Sequence, residues 1–235
     1  MELPPMISRI GGLAVRPKET LSIIVQERRS TLSALLVVAL VYLVRGLMLS
    51  AFIVMLAKWV LSFAEAFSSV GLPLIVYGLL NVAWISVVSL DVLKGIAVWI
   101  IWSLGIYLFS RVLEGGGGLE DTLVVVGYST ITSVLIVAGG MVMLVKPFLG
   151  LVAVLVLYII AKIWQIYLIT LGVAEVHGLS LGKAFMAVVL PIVIVLALIG
   201  IFAAATMIFA IKGVTISSLV SMFSPFSLFT CGWWL

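Results

Sequence analysis

The chain has 235 residues, 65% of them hydrophobic and 9% charged, with a mean hydropathy of +1.42 and a formal net charge of +4. A soluble domain carries about 25% charged residues, so 13 basic and 9 acidic side chains cannot cover an aqueous surface of this size, and the exterior must be lipid. Five of the basic residues (Arg9, Arg16, Lys18, Arg28, Arg29) precede the first apolar run, where cytoplasmic anchoring charges belong, so no nucleic-acid partner is expected; the single Cys231 excludes an intrachain disulfide, and the single His177 excludes a His-rich metal site.

Residues 1–30 form the most polar stretch and are read as a cytoplasmic segment. They hold no apolar run of the kind a cleavable leader needs, so the first span is expected to act as its own insertion signal. Within them Lys18 to Arg29 reads as a short amphipathic helix. Pro17 stands at its start, Glu19 lies in the first turn, and Leu21, Ile24 and Val25 make an apolar stripe suited to the inner membrane interface.

A span needs about 20 apolar residues to cross about 30 Å of hydrocarbon. The first runs from about Thr31 to Lys58. Residues 59–83, with Glu65, Gly71 and Pro73, read as an extracytoplasmic, partly interfacial connection. The second runs from about Trp84 to Leu113 as one long helix, because Asp91 and Lys94 stand three apart and can pair on one helix face. Glu114 and four consecutive glycines then break it.

The third span covers about Thr122 to Val145. Lys146-Pro147 makes a tight turn with Pro147 as the first residue of the next helix, so the fourth span packs back on the third as a hairpin. That span ends near Leu171, and Gly172 to Gly182 read as a loop carrying Glu175 and His177. The fifth covers about Lys183 to Ile211, making residues 31–211 one membrane domain. Residues 212–235 are an apolar tail, extracytoplasmic or interfacial, and a sixth span there remains an alternative.

With five spans and the N-terminus inside, inner segments carry Arg9, Arg16, Lys18, Arg28, Arg29, Arg111 and Lys183, and outer ones Lys58, Lys146 and Lys212. Seven against three favours that orientation. Aromatic residues agree: Trp59, Trp84, Trp233 and Trp234 collect outside, and Tyr107, Tyr128 and Tyr167 inside. The expected fold is therefore an all-α polytopic membrane helix bundle of the cell membrane with a cytoplasmic N-terminus.

Charged residues inside spans are costly and mark candidate sites. Arg45, Asp91, Lys94 and Lys162 are the candidates here, as a polar pocket or ion path. The structural alternative has Asp91 and Lys94 neutralising each other, Lys162 reaching outward, and Arg45 on backbone carbonyls or a lipid phosphate. Sets for catalysis are missing from the sequence. His177 and Glu175 have no second His or nearby Cys for zinc, no Gly-x-Ser-x-Gly elbow occurs, and the glycine tract lacks the Gly-Lys-Ser/Thr ending of a phosphate loop. No metal and no cofactor is expected. Gly139-Gly140 suits close helix approach.

Three helix entries share a pattern of polar residues one turn before an apolar run: Pro17-Lys18-Glu19-Thr20-Leu21, Leu119-Glu120-Asp121-Thr122-Leu123, and Leu181-Gly182-Lys183-Ala184-Phe185. With their surroundings (Gly115 to Ser129, including Gly127-Tyr128-Ser129, and Leu171 to Pro191) they resemble the Yip domain family, the Ypt/Rab-interacting five-pass membrane proteins and their prokaryotic relatives. The resemblance covers about residues 15–210. It departs from the family pattern at Thr132, where a proline and a helix kink are usual, and it lacks the acidic, aromatic N-terminal motif of eukaryotic members.

What the resemblance implies is a five-helix fold with a cytoplasmic N-terminus and a motif surface built from Pro17, Glu19, Glu120, Asp121, Gly127, Tyr128 and His177. The functional expectation is a non-catalytic membrane organiser or adaptor. Its partners would be the bilayer and other membrane or membrane-associated proteins, with oligomers an option. The alternative is a transporter or channel subunit for a solute, an ion or a lipid.

Overall fold

The computed structural model describes residues 11–13, 16–26, 31–65 and 73–211, and among them every regular element is a helix. Arg9, Arg28, Arg29 and the whole tail from Lys212, with Cys231 and Trp233-Trp234, lie outside the described residues. Among the described residues, five helical stretches are long and apolar enough to cross a membrane: Thr31–Lys58, Trp84–Val112, Leu119–Val145, Phe148–His177 and Leu181–Ile208. These coincide closely with the spans expected from the sequence.

Helix α1, Pro17–Gln26, starts on Pro17 and carries Glu19 at the positive end of its dipole. Its apolar stripe, expected to suit the inner interface, packs on protein. Leu21 and Ile24 are buried, as is the nearby Leu13, and α1 packs on helices α4 and α6 defined below. Burying such a side chain against the bundle contributes roughly 1.5–3 kcal/mol relative to water, so the bundle end competes successfully with the interface for this stripe. The side chain of Val25 lies outside the described residues.

Helices α2, Thr31–Glu65, and α3, Pro73–Val112, form an antiparallel pair. Residues 59–83, expected as a connection, are largely helical. Helix continues to Glu65 and resumes at Pro73, and only residues 66–72 between them lie outside the description. At about 1.5 Å per residue these helices run roughly 50 and 60 Å, well past a hydrocarbon core of about 30 Å. Asp91 and Lys94 sit within the uninterrupted α3, as expected. Small residues set the spacing of the pair. A Cβ on Gly95 would enter the ring of Tyr42, and one on Gly46 would lie 3.1 Å from the backbone of Val88.

The third span is helix α4, Leu119–Ser129, a 3-10 segment, Thr130–Ser133, and helix α5, Val134–Val145. Its most apolar window is 61% buried, against 33% or less for each other span, so it is the most enclosed of them. Trp99 of α3 donates its indole N–H to the Leu123 carbonyl at 2.9 Å. Gly127 lets α4 close on Ala34 of α2, where a Cβ would come within 2.8 Å of the alanine methyl.

The 3-10 segment falls where Thr132 replaces the proline of the resembled pattern. Three hydroxyls turn back onto the chain there: Ser129 to the Val126 carbonyl at 2.6 Å, Thr130 to Gly127 at 2.6 Å and Thr132 to Ser129 at 3.0 Å. Such bonds compete with the α-helical ladder and tighten or bend it. The irregularity a proline would impose is thus present without one.

Lys146 has extended backbone (φ −136°, ψ 91°) and Pro147 opens helix α6, Pro147–His177, giving the expected hairpin. Gly150 lies against Met143, and a Cβ on Gly139 would sit 2.9 Å from Val154 Cα, so glycines on both arms bring the backbones together. Helix α6 runs through to His177, which corrects the expected loop at 172–182. Gly172 sits inside the helix because it admits Val125 of α4, whose side chain a Cβ would strike. The helix stops instead at Gly178, left-handed at φ 64°, with the Leu179 N–H bonded to the Ala174 carbonyl at 3.1 Å.

Helix α7, Leu181–Ile211, starts at Ser180, whose carbonyl accepts from the Ala184 N–H at 2.9 Å. The chain divides into two compact units at Pro191. In the first, Ala184, Ala187 and Val188 are buried. The second, from Ile192, contains the apolar remainder of α7.

Candidate functional site

Two places gather the candidate residues. The first lies between α2, α3, α5 and α6. Arg45 is on α2 and Asp91 on α3; Arg45 donates through Nε to Asp91 Oδ2 at 2.9 Å and through Nη2 to Oδ1 at 2.6 Å. This is the bidentate fork that a guanidinium and a carboxylate form best. Lys94, one turn on from Asp91, reaches the same Oδ1 at 3.2 Å. The guanidinium also lies 4.1 Å from the centroid of the Tyr42 ring, a cation–π contact that counts for more where water is scarce.

Burial differs along this trio. The Asp91 side chain is 4% exposed and that of Arg45 21%, whereas Lys94 is 64% exposed. The pair is interior and Lys94 stands at its rim. Asp91 pairs with Lys94, as the structural alternative has it, and also across the bundle with Arg45, which that alternative had placed on backbone carbonyls or a lipid phosphate. Lys162 does not join them. Its ammonium donates to Gln165 Oε1 at 2.8 Å on its own helix and lies 5.8 Å from the Tyr158 ring centroid.

A cavity of about 340 Å³ opens beside the trio, lined by Arg45, Asp91, Lys94 and Tyr158 and otherwise by apolar walls that include Met48, Phe52, Met143 and Val154. Tyr42 and Tyr158 are the participants that sequence reading missed. Tyr42 could have been found, since it precedes Arg45 by three residues on one helix and so shares its face. Tyr158 stands four residues before Lys162 and so shares its face, but only the α5–α6 hairpin brings it to the cavity beside Arg45.

The second place is the end of the bundle that holds the glycine tract. Helix α3 closes with the Gly115 N–H on the Ser110 carbonyl at 2.8 Å and the Glu114 N–H on Arg111 at 3.1 Å, a Schellman arrangement. Its left-handed position is occupied by Glu114, at φ 72°, instead of glycine. The tract then runs across the end of α6. The Gly116 N–H bonds the His177 carbonyl at 3.1 Å, and Cβ atoms on Gly115 and Gly117 would lie 2.9 Å from His177 Cβ and Nδ1 respectively.

His177 is 4% exposed, and its Nε2 lies 2.9 Å from Thr122 Oγ1. Thr122 gives its own hydrogen to the Gly118 carbonyl at 3.0 Å, so Nε2 carries the proton that joins the two side chains. His177 is therefore a strut between α4 and α6 under the glycine tract. It occupies the last turn of a helix, where the sequence reading had a loop.

The remaining motif residues divide by exposure. Gly127 and Tyr128 are inside the bundle; Tyr128 is 2% exposed and donates to Ser33 Oγ at 3.4 Å. Pro17 and Glu19 open α1, and Glu120 and Asp121 open α4, with Asp121 accepting from the Gly118 N–H at 3.3 Å. Glu19, Glu120 and Asp121 are exposed, as are Glu114 and Glu175. Lys183 binds Glu114 at 3.5 Å and the Leu113 carbonyl at 3.5 Å, joining the start of α7 to the end of α3.

A family model of the Yip1 domain matches residues 11–204, a stretch that contains α1, all of the trio and the glycine tract. No curated protein and no solved structure matches the chain.

Proposed function

The chain belongs to the Yip1 domain family, and from that premise we propose that it is a non-catalytic adaptor that gathers other membrane or membrane-associated proteins at its glycine-tract end. The observation that carries the reading is the placement of acidic groups. Of the 9 acidic side chains in the chain, Glu19, Glu114, Glu120, Asp121 and Glu175 project from this one end, all exposed. They stand on backbone held by two helix caps and the His177–Thr122 bond. A fixed array of charges at a membrane surface gives specificity and register to a protein contact. In this reading that end is cytoplasmic, supported by Arg16, Lys18, Arg111 and Lys183 there against Lys58 and Lys146 at the other end.

Photo-crosslinking residues placed at Lys18 and Glu120 in native membranes test it. The expected result is a protein adduct of defined mass from both positions, the one from Lys18 being lost when Glu120 and Asp121 are both changed to Lys. Adducts to lipid alone, equal to those from a crosslinker at the exposed Phe148, contradict the proposal.

The alternative of a transport or channel subunit is favoured by one observation, the charged cavity between α2, α3, α5 and α6. Solute, ion or lipid flux in reconstituted vesicles that disappears with Arg45→Ala supports it, and vesicles without flux remove it.

A further inference from the structure

The cavity has a polarity along its length. Residue numbers rise along α2 and α5 from the glycine-tract end toward the Lys146 turn, and fall along α3 and α6. Arg45, Lys94 and Tyr158 therefore line the part nearer the glycine tract, and Phe52, Met143 and Val154 the part nearer the turn. From Arg45 to Phe52 is about 10 Å along α2.

Charge is unbalanced at the polar part. Two cations, Arg45 and Lys94, share one carboxylate, Asp91. An uncompensated charge in hydrocarbon is costly, and an ammonium has three donors, of which Asp91 engages one. Lys94 is 64% exposed, so the others are free to be met from the cavity mouth. A volume of about 340 Å³ with mostly apolar walls and a few convergent polar groups has the size and make-up of a small-ligand site, and the two methionines in the wall can adjust to a flexible chain.

We propose that this cavity binds an amphiphile with one anionic head group, the head on Lys94 and Arg45 and the tail along Phe52, Met143 and Val154. A monoanion completes two cations with two anions, and an acyl chain fills the apolar part, which a bare inorganic anion does not. The head chemistry is shared by a membrane phospholipid and a free fatty acid. The inference stands apart from the adaptor role, whose charged surface lies at the end of the bundle.

The test is native mass spectrometry of the full chain, purified in neutral detergent, with oleate, phosphatidylglycerol or phosphatidylcholine added at equal concentration. One anionic amphiphile should be retained per chain, with a preference over phosphatidylcholine of about tenfold, the worth of one charge-assisted hydrogen bond. Retention of oleate alone identifies a fatty acid, of phosphatidylglycerol alone a phospholipid, and of both a site that reads only head charge. Lys94→Gln, at an exposed side chain, should bring anionic retention down to the phosphatidylcholine level. Val137 also lines the cavity, and Val137→Phe, which fills it without changing its charge, should lower retention of every tailed ligand. Equal retention of phosphatidylcholine, no retention of either anion, or an unchanged preference in Lys94→Gln overturns the proposal. So does full retention in Val137→Phe.

Discussion

Arg45 and Asp91 stabilise each other in the bundle because neither charge has another partner of comparable geometry. Removing Asp91 leaves Arg45 buried without a carboxylate, which costs about 3–5 kcal/mol, whereas replacing both members with apolar residues of similar volume is often close to neutral. Asp91→Asn should therefore lower thermal stability in detergent markedly, and Arg45→Met with Asp91→Leu together should recover most of the loss. A double variant as unstable as the single one contradicts this account. At the glycine tract the contrast is steric. A Cβ on Gly115 would meet the Ser110 carbonyl at 2.8 Å and His177, while Gly116 has nothing within 4 Å. Gly115→Ala should destabilise by about 1–3 kcal/mol, and Gly116→Ala should be neutral. Glu114→Gly should gain roughly 1 kcal/mol by relieving the left-handed backbone, as read by the unfolding midpoint. At this scale the sequence exposes charges in apolar runs but not their partners. Arg45 and Asp91 are 46 positions apart, and Lys162, equally conspicuous, turned out to bond along its own helix.

Single helices show where periodicity and composition inform and where tertiary packing overrides them. The stripe of α1 is legible at Leu21 and Ile24, but the surface it covers is not, since an interface and a bundle end ask for the same side chains. Ile24→Asp should release α1 while leaving the spans folded. Limited proteolysis should then cut after Lys18 faster than in the parent chain, with helical content nearly unchanged; unchanged cleavage would show that α1 is not held by that side chain. Gly172 misled for the opposite reason. Glycine costs about 1 kcal/mol within a helix relative to alanine, yet contact with Val125 offsets this, and contact across helices leaves no local mark. Thr132 shows a third case, in which hydroxyl-to-carbonyl bonds produce an irregularity that sequence reading attaches to proline alone.

For the whole molecule, length and hydropathy alone placed all five spans, because hydrocarbon thickness constrains helices more tightly than any packing preference. What they could not place is the high burial of the third span, since at a mean hydropathy of 1.9 and 61% buried it is as apolar as the second, which is 22% buried. The single span Leu119–Val145 between them puts the glycine-tract end and the Lys146 turn on opposite sides of a membrane, and the adaptor role requires the former to be cytoplasmic. Single cysteines introduced at Glu19, Glu120, Lys58 and Lys146 in a Cys231→Ser chain, labelled in intact cells with a membrane-impermeant maleimide, test this directly. The account predicts labelling at Lys58 and Lys146 and protection at Glu19 and Glu120 until the membrane is opened. Labelling of Glu19 or Glu120 from outside contradicts it.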